Sequence, residues 1–190
     1  MVGKIFITRT GYDPQLGRHV KDPYLDGTPS LGACRPDIRR RVAPGDHIFV
    51  ITGKVPGAKQ FVIGGFEVDS KIDAREAYRL LPEQRLRLRE DGQLTGNIIV
   101  NSRGRQHRLD DHQSFDRRVA NYVVGKNLIS LVTPQEIALG REQTLEVLCE
   151  ILQKSGASPW EVVGRWGTDL IEDQVLQLRE WFASIKKTCS

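Results

Sequence analysis

The chain is short of the features that would assign it quickly. Its three cysteines, Cys34, Cys149 and Cys189, are far apart and odd in number, with no C-x-x-C pair and no histidine at zinc-finger spacing. That pattern excludes a disulfide framework and a structural zinc site, so no cysteine-held metal is expected and a reducing, cytoplasmic setting is. No apolar run reaches 18 residues, so no membrane span is expected. The apolar run near the N-terminus turns polar by Thr8, too early for the core of a signal peptide. Neither G-x-G-x-x-G nor G-x-x-x-x-G-K-[ST] occurs, and no serine sits in a G-x-S-x-G elbow. A doubly wound nucleotide fold and a serine hydrolase are disfavoured, and no cofactor is expected.

What is present is an ordinary globular composition, 39% hydrophobic and 27% charged over 190 residues. The formal charge of +4 is unevenly spread. Residues 1–130 carry 22 Lys and Arg against 15 Asp and Glu, whereas residues 131–190 carry 6 against 9. The first part therefore offers the surface for an anionic partner, nucleic acid or a nucleotide.

Short β-branched and aromatic runs at Lys4–Thr8, Asp46–Gly53, Gln60–Ser70, Asn97–Asn101 and Leu128–Val132 read as strands. Gly64-Gly65 marks a bulge or sharp bend. Short helices are expected at 34–42, at Ala74–Leu81 behind Asp73, and at Ser114–Tyr122. The stretch Gly11–Gly32 has no periodicity and is expected to border a site. From Thr133 onward the pattern is helical. Thr133-Pro-Gln-Glu136 and Ser158-Pro-Trp-Glu161 are N-terminal capping sequences, and Asp169–Lys186 carries an apolar stripe. These elements predict an α+β fold: a small, strongly bent sheet or barrel over residues 1–132, with a helical extension at 133–190.

Arg35, Arg39, Arg40 and Arg41, together with Arg9 and Arg18, supply guanidinium forks suited to phosphates or base edges. Arg103 and Arg105 lie in a glycine-containing basic loop that could follow a phosphate backbone. Tyr12, Tyr24, Phe115 and Tyr122 are candidate stacking residues. For chemistry the candidates are Asp37, Asp46, Asp111 and His112 as acid/base groups, Asp110, Asp111 and His112 as a set able to ligate a divalent ion although no metal is expected there, and Cys34 as a nucleophile beside Arg35. Each has a plain structural alternative: helix capping for the arginines, a solvated loop for Asp111 and His112, burial for Cys34. The amphipathic helices after residue 133, with Trp160, Trp166 and Trp181, offer a candidate homodimer or partner-binding face.

At Gly32-Ala-Cys-Arg-Pro-Asp-Ile-Arg-Arg40, at Pro44-Gly-Asp-His-Ile-Phe-Val50 and at Phe115-Asp-Arg-Arg-Val-Ala-Asn-Tyr-Val-Val-Gly125, the chain resembles the nucleotide modification associated domain family, second type. The order of Gly-Asp, apolar strand, hairpin and glycine-containing strand is also similar to PUA-like domains such as EVE and ASCH. The resemblance covers about residues 4–132. It implies a PUA-like barrel that recognises nucleic acid, including a modified base, in a DNA-modification or phage-defence setting. An enzyme that processes a nucleotide is the alternative.

Overall fold

The computed structural model describes residues 2–190. In chain order the elements are β1 (Gly3–Ile7), β2 (Ser30–Leu31), α1 (Pro36–Arg41), β3 (His47–Ile51), β4 (Val62–Ile72), α2 (Ala74–Leu80), β5 (Arg87–Leu88) and β6 (Leu94–Thr95). There follow α3 (Phe115–Val119), β7 (Tyr122–Ser130), α4 (Pro134–Leu152), α5 (Pro159–Val163), β8 (Thr168–Leu170) and α6 (Glu172–Cys189). The fold is mixed α+β, with six strands in a strongly curled sheet of order β2-β7-β4-β3-β1-β8. Its one parallel pair among the described residues is β1 with β3, in register from Gly3↔His47 to Ile7↔Ile51. β5 and β6 form a separate hairpin.

Local chemistry explains several of these boundaries. Pro36 opens α1 where its missing N–H costs nothing, and Arg39–Arg41 meet the negative C-terminal end of the helix dipole. The expected bend shows as slips in pairing between β4 and β7 at Gly65/Glu67 and Val68/Ser70, which curl the sheet. Thr133 and Glu136 close a reciprocal capping box at the start of α4, and Ser158 caps α5.

Four local readings need correction. Asn97–Asn101 is buried but joins no strand; it makes only single bridges, Ile98 to Arg85 and Val100 to Gln106. Tyr122 opens β7 rather than ending a helix, and Ser114 makes no side-chain cap. α4 stops at Leu152, where Gln153 turns left-handed, before Gly156. Asp169 lies on β8, and α6 begins at Glu172.

The segment from 133 onward returns to the sheet. β8 pairs antiparallel with β1 (Gly3↔Leu170), and one apolar core joins Ile5, Phe49 and Phe61 to Leu148, Leu178 and Phe182. Trp181 belongs to that core, with Nε1 donating to Gln143 at 3.0 Å, so it is not part of an exposed face. Among the described residues no helix is long and apolar enough to cross a membrane.

Buried carboxylates tie these layers together. Glu136 accepts from the backbone N–H groups of Val132 (2.7 Å) and Thr133 (3.1 Å) and from Nζ of Lys186 on α6 (3.1 Å). Burial alone would raise its proton affinity, but these donors outweigh it and hold the carboxyl below its ordinary value. Asp13 behaves alike, with burial outweighed by Arg141 and the N–H groups of Gln15 and Leu16. The folded state thus binds fewer protons in acid than the unfolded chain. Stability from these groups is present above the ordinary carboxylate range, about pH 4–5, and is lost as pH falls through the lowered folded values. Glu136→Gln should lower the unfolding midpoint at neutral pH and flatten its fall in acid. An acid limb as steep as that of the parent would contradict this linkage.

Candidate functional site

The parallel strands β1 and β3 end side by side at Ile7 and Ile51, and there the chain leaves the sheet around a cavity of about 890 Å³. That volume lies in the range of small-molecule and cofactor sites. The 8–29 stretch supplies much of the wall, through Arg9, Tyr12, Arg18, His19, Lys21 and Asp22. Cys34, Arg35, Asp37 and Arg40 come from the start of α1 and its approach. The β5–β6 turn, the 109–112 segment, Arg118 and Trp166 complete it.

Gly53 sets the position of the first wall. A Cβ there would stand 1.9 Å from the carbonyl oxygen of Arg9, so only glycine lets the strand end and the loop meet. The adjacent backbone bonds, Thr8 N–H to Ile51 O (2.9 Å) and Gly53 N–H to Tyr12 O (2.8 Å), fix that approach. A second wall is fixed by Asp22, which is 8% exposed. Its carboxylate accepts from the N–H groups of Gly32 (2.8 Å), Ala33 (2.9 Å) and Cys34, and from Nδ2 of Asn97 (3.0 Å). That clamp places the segment leading into α1.

The charges at the cavity are unbalanced. Six cationic side chains line it, Arg9, Arg18, Lys21, Arg35, Arg40 and Arg118, against three carboxylates, Asp22, Asp37 and Asp111. Asp22 is taken up by the clamp. Asp37 is paired with Arg35 through bonds of 3.0 and 2.7 Å, and although burial opposes it, this pairing holds its carboxyl below the ordinary range. Arg35 adopts a left-handed backbone, φ 50°, and its guanidinium also donates to the carbonyl of Trp166 and lies 5.0 Å from the Phe6 ring centroid. The heads of Arg9, Arg18, Lys21 and Arg40 have no hydrogen-bond or ion-pair partner among the described residues. Four unpaired cations on one concave surface make the cavity locally positive.

The structure separates the sequence candidates. Arg9, Arg35, Arg40, Asp37, Asp111 and His112 are brought together at the cavity. Arg39 is not available to a ligand: it is fully buried, and its guanidinium donates to the carbonyls of Cys34, Arg118, Ala120 and Asn121 at 3.0–3.2 Å. Tyr122 is equally buried. Its hydroxyl sits among Ser30, Gln84 and Asn97, so its ring has no open face for a base. Asp46 binds the N–H groups of Val2 and Ala43 in the turn before β3, apart from the cavity. Arg41, Arg103 and Arg105 are exposed outside it, and Tyr24 is bridged to Ser30 away from it. Cys34 lines the cavity, but burial, helped by the negative charge of Asp22, pushes its thiol far up. It is not an activated nucleophile.

Sequence reasoning did not place Lys21, Arg118 or Trp166 at the site. Trp166 carries the clearest missed signal. It is 69% exposed at the cavity rim, in Gly164-Arg-Trp-Gly167, whose glycines have φ of 77° and 76°. A large exposed aromatic in a glycine-bounded turn marks a binding loop more readily than a dimer face.

No family model matches the chain, and no curated protein and no solved structure matches it either. The functional reading therefore rests on the geometry of this cavity.

Proposed function

We propose that this chain is a binding module for nucleic acid or a nucleotide, with the cavity at the ends of β1 and β3 as its site. The observation that carries the reading is the set of four unpaired cations, Arg9, Arg18, Lys21 and Arg40, lining a nucleotide-sized hollow that also holds Tyr12 and Trp166. Cations meet phosphate, while the aromatic rings offer faces for a base, each stack being worth about 1–3 kcal/mol. In this reading Arg35 positions rather than binds, because Asp37 and the Trp166 carbonyl already occupy its fork. The resemblance of residues 4–132 to PUA-like domains extends this reading to a modified base as ligand in a DNA-modification or phage-defence setting.

The test is a titration of a short fluorescent oligonucleotide over a series of salt concentrations. Affinity should fall with salt, and the log–log slope should shrink by about one for each of Arg9→Ala and Arg40→Ala. Arg103→Ala and Arg105→Ala, outside the cavity, should leave the slope unchanged. Affinity indifferent to salt, or unchanged in the Arg9→Ala, Arg40→Ala double variant, would sink the proposal.

A further inference from the structure

One part of the cavity wall has more than binding chemistry. Leu109, Asp111 and His112 line the cavity, while Asp110 is turned away from solvent with its side chain 1% exposed. Both oxygens of that hidden carboxylate are used. Oδ1 lies 2.6 Å from Nδ1 of His112, and Oδ2 accepts from Nε2 of Gln106 at 2.8 Å. Burial would raise the proton affinity of Asp110, but the bonds from His112 and Gln106 outweigh it, so the carboxylate is ionised at neutral pH. In the neutral imidazole, an ionised acceptor at Nδ1 favours the tautomer with the proton there and the lone pair on Nε2. Nε2 has no partner among the described residues, and His112 is part of the cavity wall.

A loop staple alone would not need this arrangement. Gln106 already ties the turn by donating to the carbonyl of His112 (3.0 Å) as well as to Asp110. The imidazole adds a carboxylate-held side chain with a free Nε2 to the wall of a hollow that four unpaired cations also line. That combination of an aligned base and charge stabilisation is what hydrolysis of a phosphoester needs.

We infer that the cavity hydrolyses a phosphodiester, with His112 as general base and Asp110 as the residue that positions it. The inference rests on the anion-binding reading of the same site. A water gives one proton to Nε2 of His112 as its oxygen forms a bond to phosphorus. The phosphorus–oxygen bond to the leaving alcohol breaks, and the departing oxygen takes a proton from solvent while the imidazolium returns its own. One water and one diester become one alcohol and one monoester, with no change of oxidation state. Arg9 and Arg40 neutralise charge that grows on the non-bridging oxygens.

The experiment uses the full chain with bis(p-nitrophenyl) phosphate and with a labelled oligonucleotide, both in EDTA, while anisotropy follows oligonucleotide binding in parallel. His112→Asn keeps a donor near the Nδ1 position, and so the bond to Asp110, but lacks Nε2. It should lower kcat by about 10²–10⁴-fold, with binding unchanged. Should that variant fail to fold, His112→Gln is read in its place. Asp110→Asn should lower kcat with KM held, a split that simple loosening of the loop would not give. Parent protein that binds the oligonucleotide yet releases no more product than His112→Asn overturns the hydrolytic inference and leaves binding standing, whereas absence of binding overturns both. Turnover that requires a divalent ion and vanishes in EDTA would also overturn it, reassigning Asp110, Asp111 and His112 as metal ligands.

Discussion

Arg39→Met should cost about 3–5 kcal/mol of stability, the range for removing one side of a buried charged network. For a chain of this size that corresponds to an unfolding midpoint roughly 6–20 °C lower. The reason is a count of acceptors. The guanidinium satisfies the carbonyls of Cys34, Arg118, Ala120 and Asn121, and methionine would fill most of the space while leaving those part-buried oxygens without their donor. Arg39 also joins two distant parts of the chain, the start of α1 and the entry to β7, so its loss loosens both. Arg40→Met, one residue on and exposed, should change stability by no more than about 0.5 kcal/mol. Thermal unfolding of the two variants checks the contrast, and equal losses would contradict it.

The second large effect is expected at Asp22. Asp22→Ala strands the backbone N–H groups of Gly32, Ala33 and Cys34 and takes one of the two acceptors of the Asn97 amide, which keeps Ser30; all are buried or nearly so. Unsatisfied buried donors cost about 1–3 kcal/mol each, and relaxation of the 32–34 segment should hold the total to about 3–5 kcal/mol. This relaxation has a functional price, since that segment leads into Arg35, Asp37 and Arg40 on the cavity wall. Oligonucleotide affinity, measured well below the unfolding midpoint, should therefore fall although a negative charge has been removed from a cationic site. Pure electrostatics predicts the opposite sign. Tighter binding in Asp22→Ala would mean that Asp22 acts only as a repulsive charge.

The parts of this structure legible in the sequence are those governed by near neighbours. Thr133 and Ser158 announce α4 and α5 because capping is settled within four residues, and the Pro44-Gly45 turn with the strands around it follows from local propensity. The Gly11–Gly32 stretch reads as a site border because it lacks periodicity, and Tyr12, Arg18, His19, Lys21 and Asp22 within it line the cavity. Features decided across the chain are not legible in this way. Arg39, Arg40 and Arg41 are equivalent as letters; only carbonyls some 80 residues away make Arg39 a core residue and leave Arg40 to the cavity. The Asn97–Asn101 run has strand-like side chains because it is buried beside Tyr122, yet its partners are loops rather than a ladder. β8 is three residues long and gains its meaning from β1, more than 160 residues earlier. Trp166 reaches the cavity only because β8 returns there, so its place among helix-forming sequence concealed it.

The central claim is that ligand sits in the cavity at the ends of β1 and β3, and photo-crosslinking of a short oligonucleotide with a photoreactive base, followed by peptide mapping, tests it most directly. The account predicts crosslinks at Tyr12, at Trp166 and within residues 109–118, lost when Arg9 and Arg40 are both replaced by alanine. Crosslinks confined to the exposed loop of Arg103 and Arg105, or unaffected by that double replacement, would contradict it.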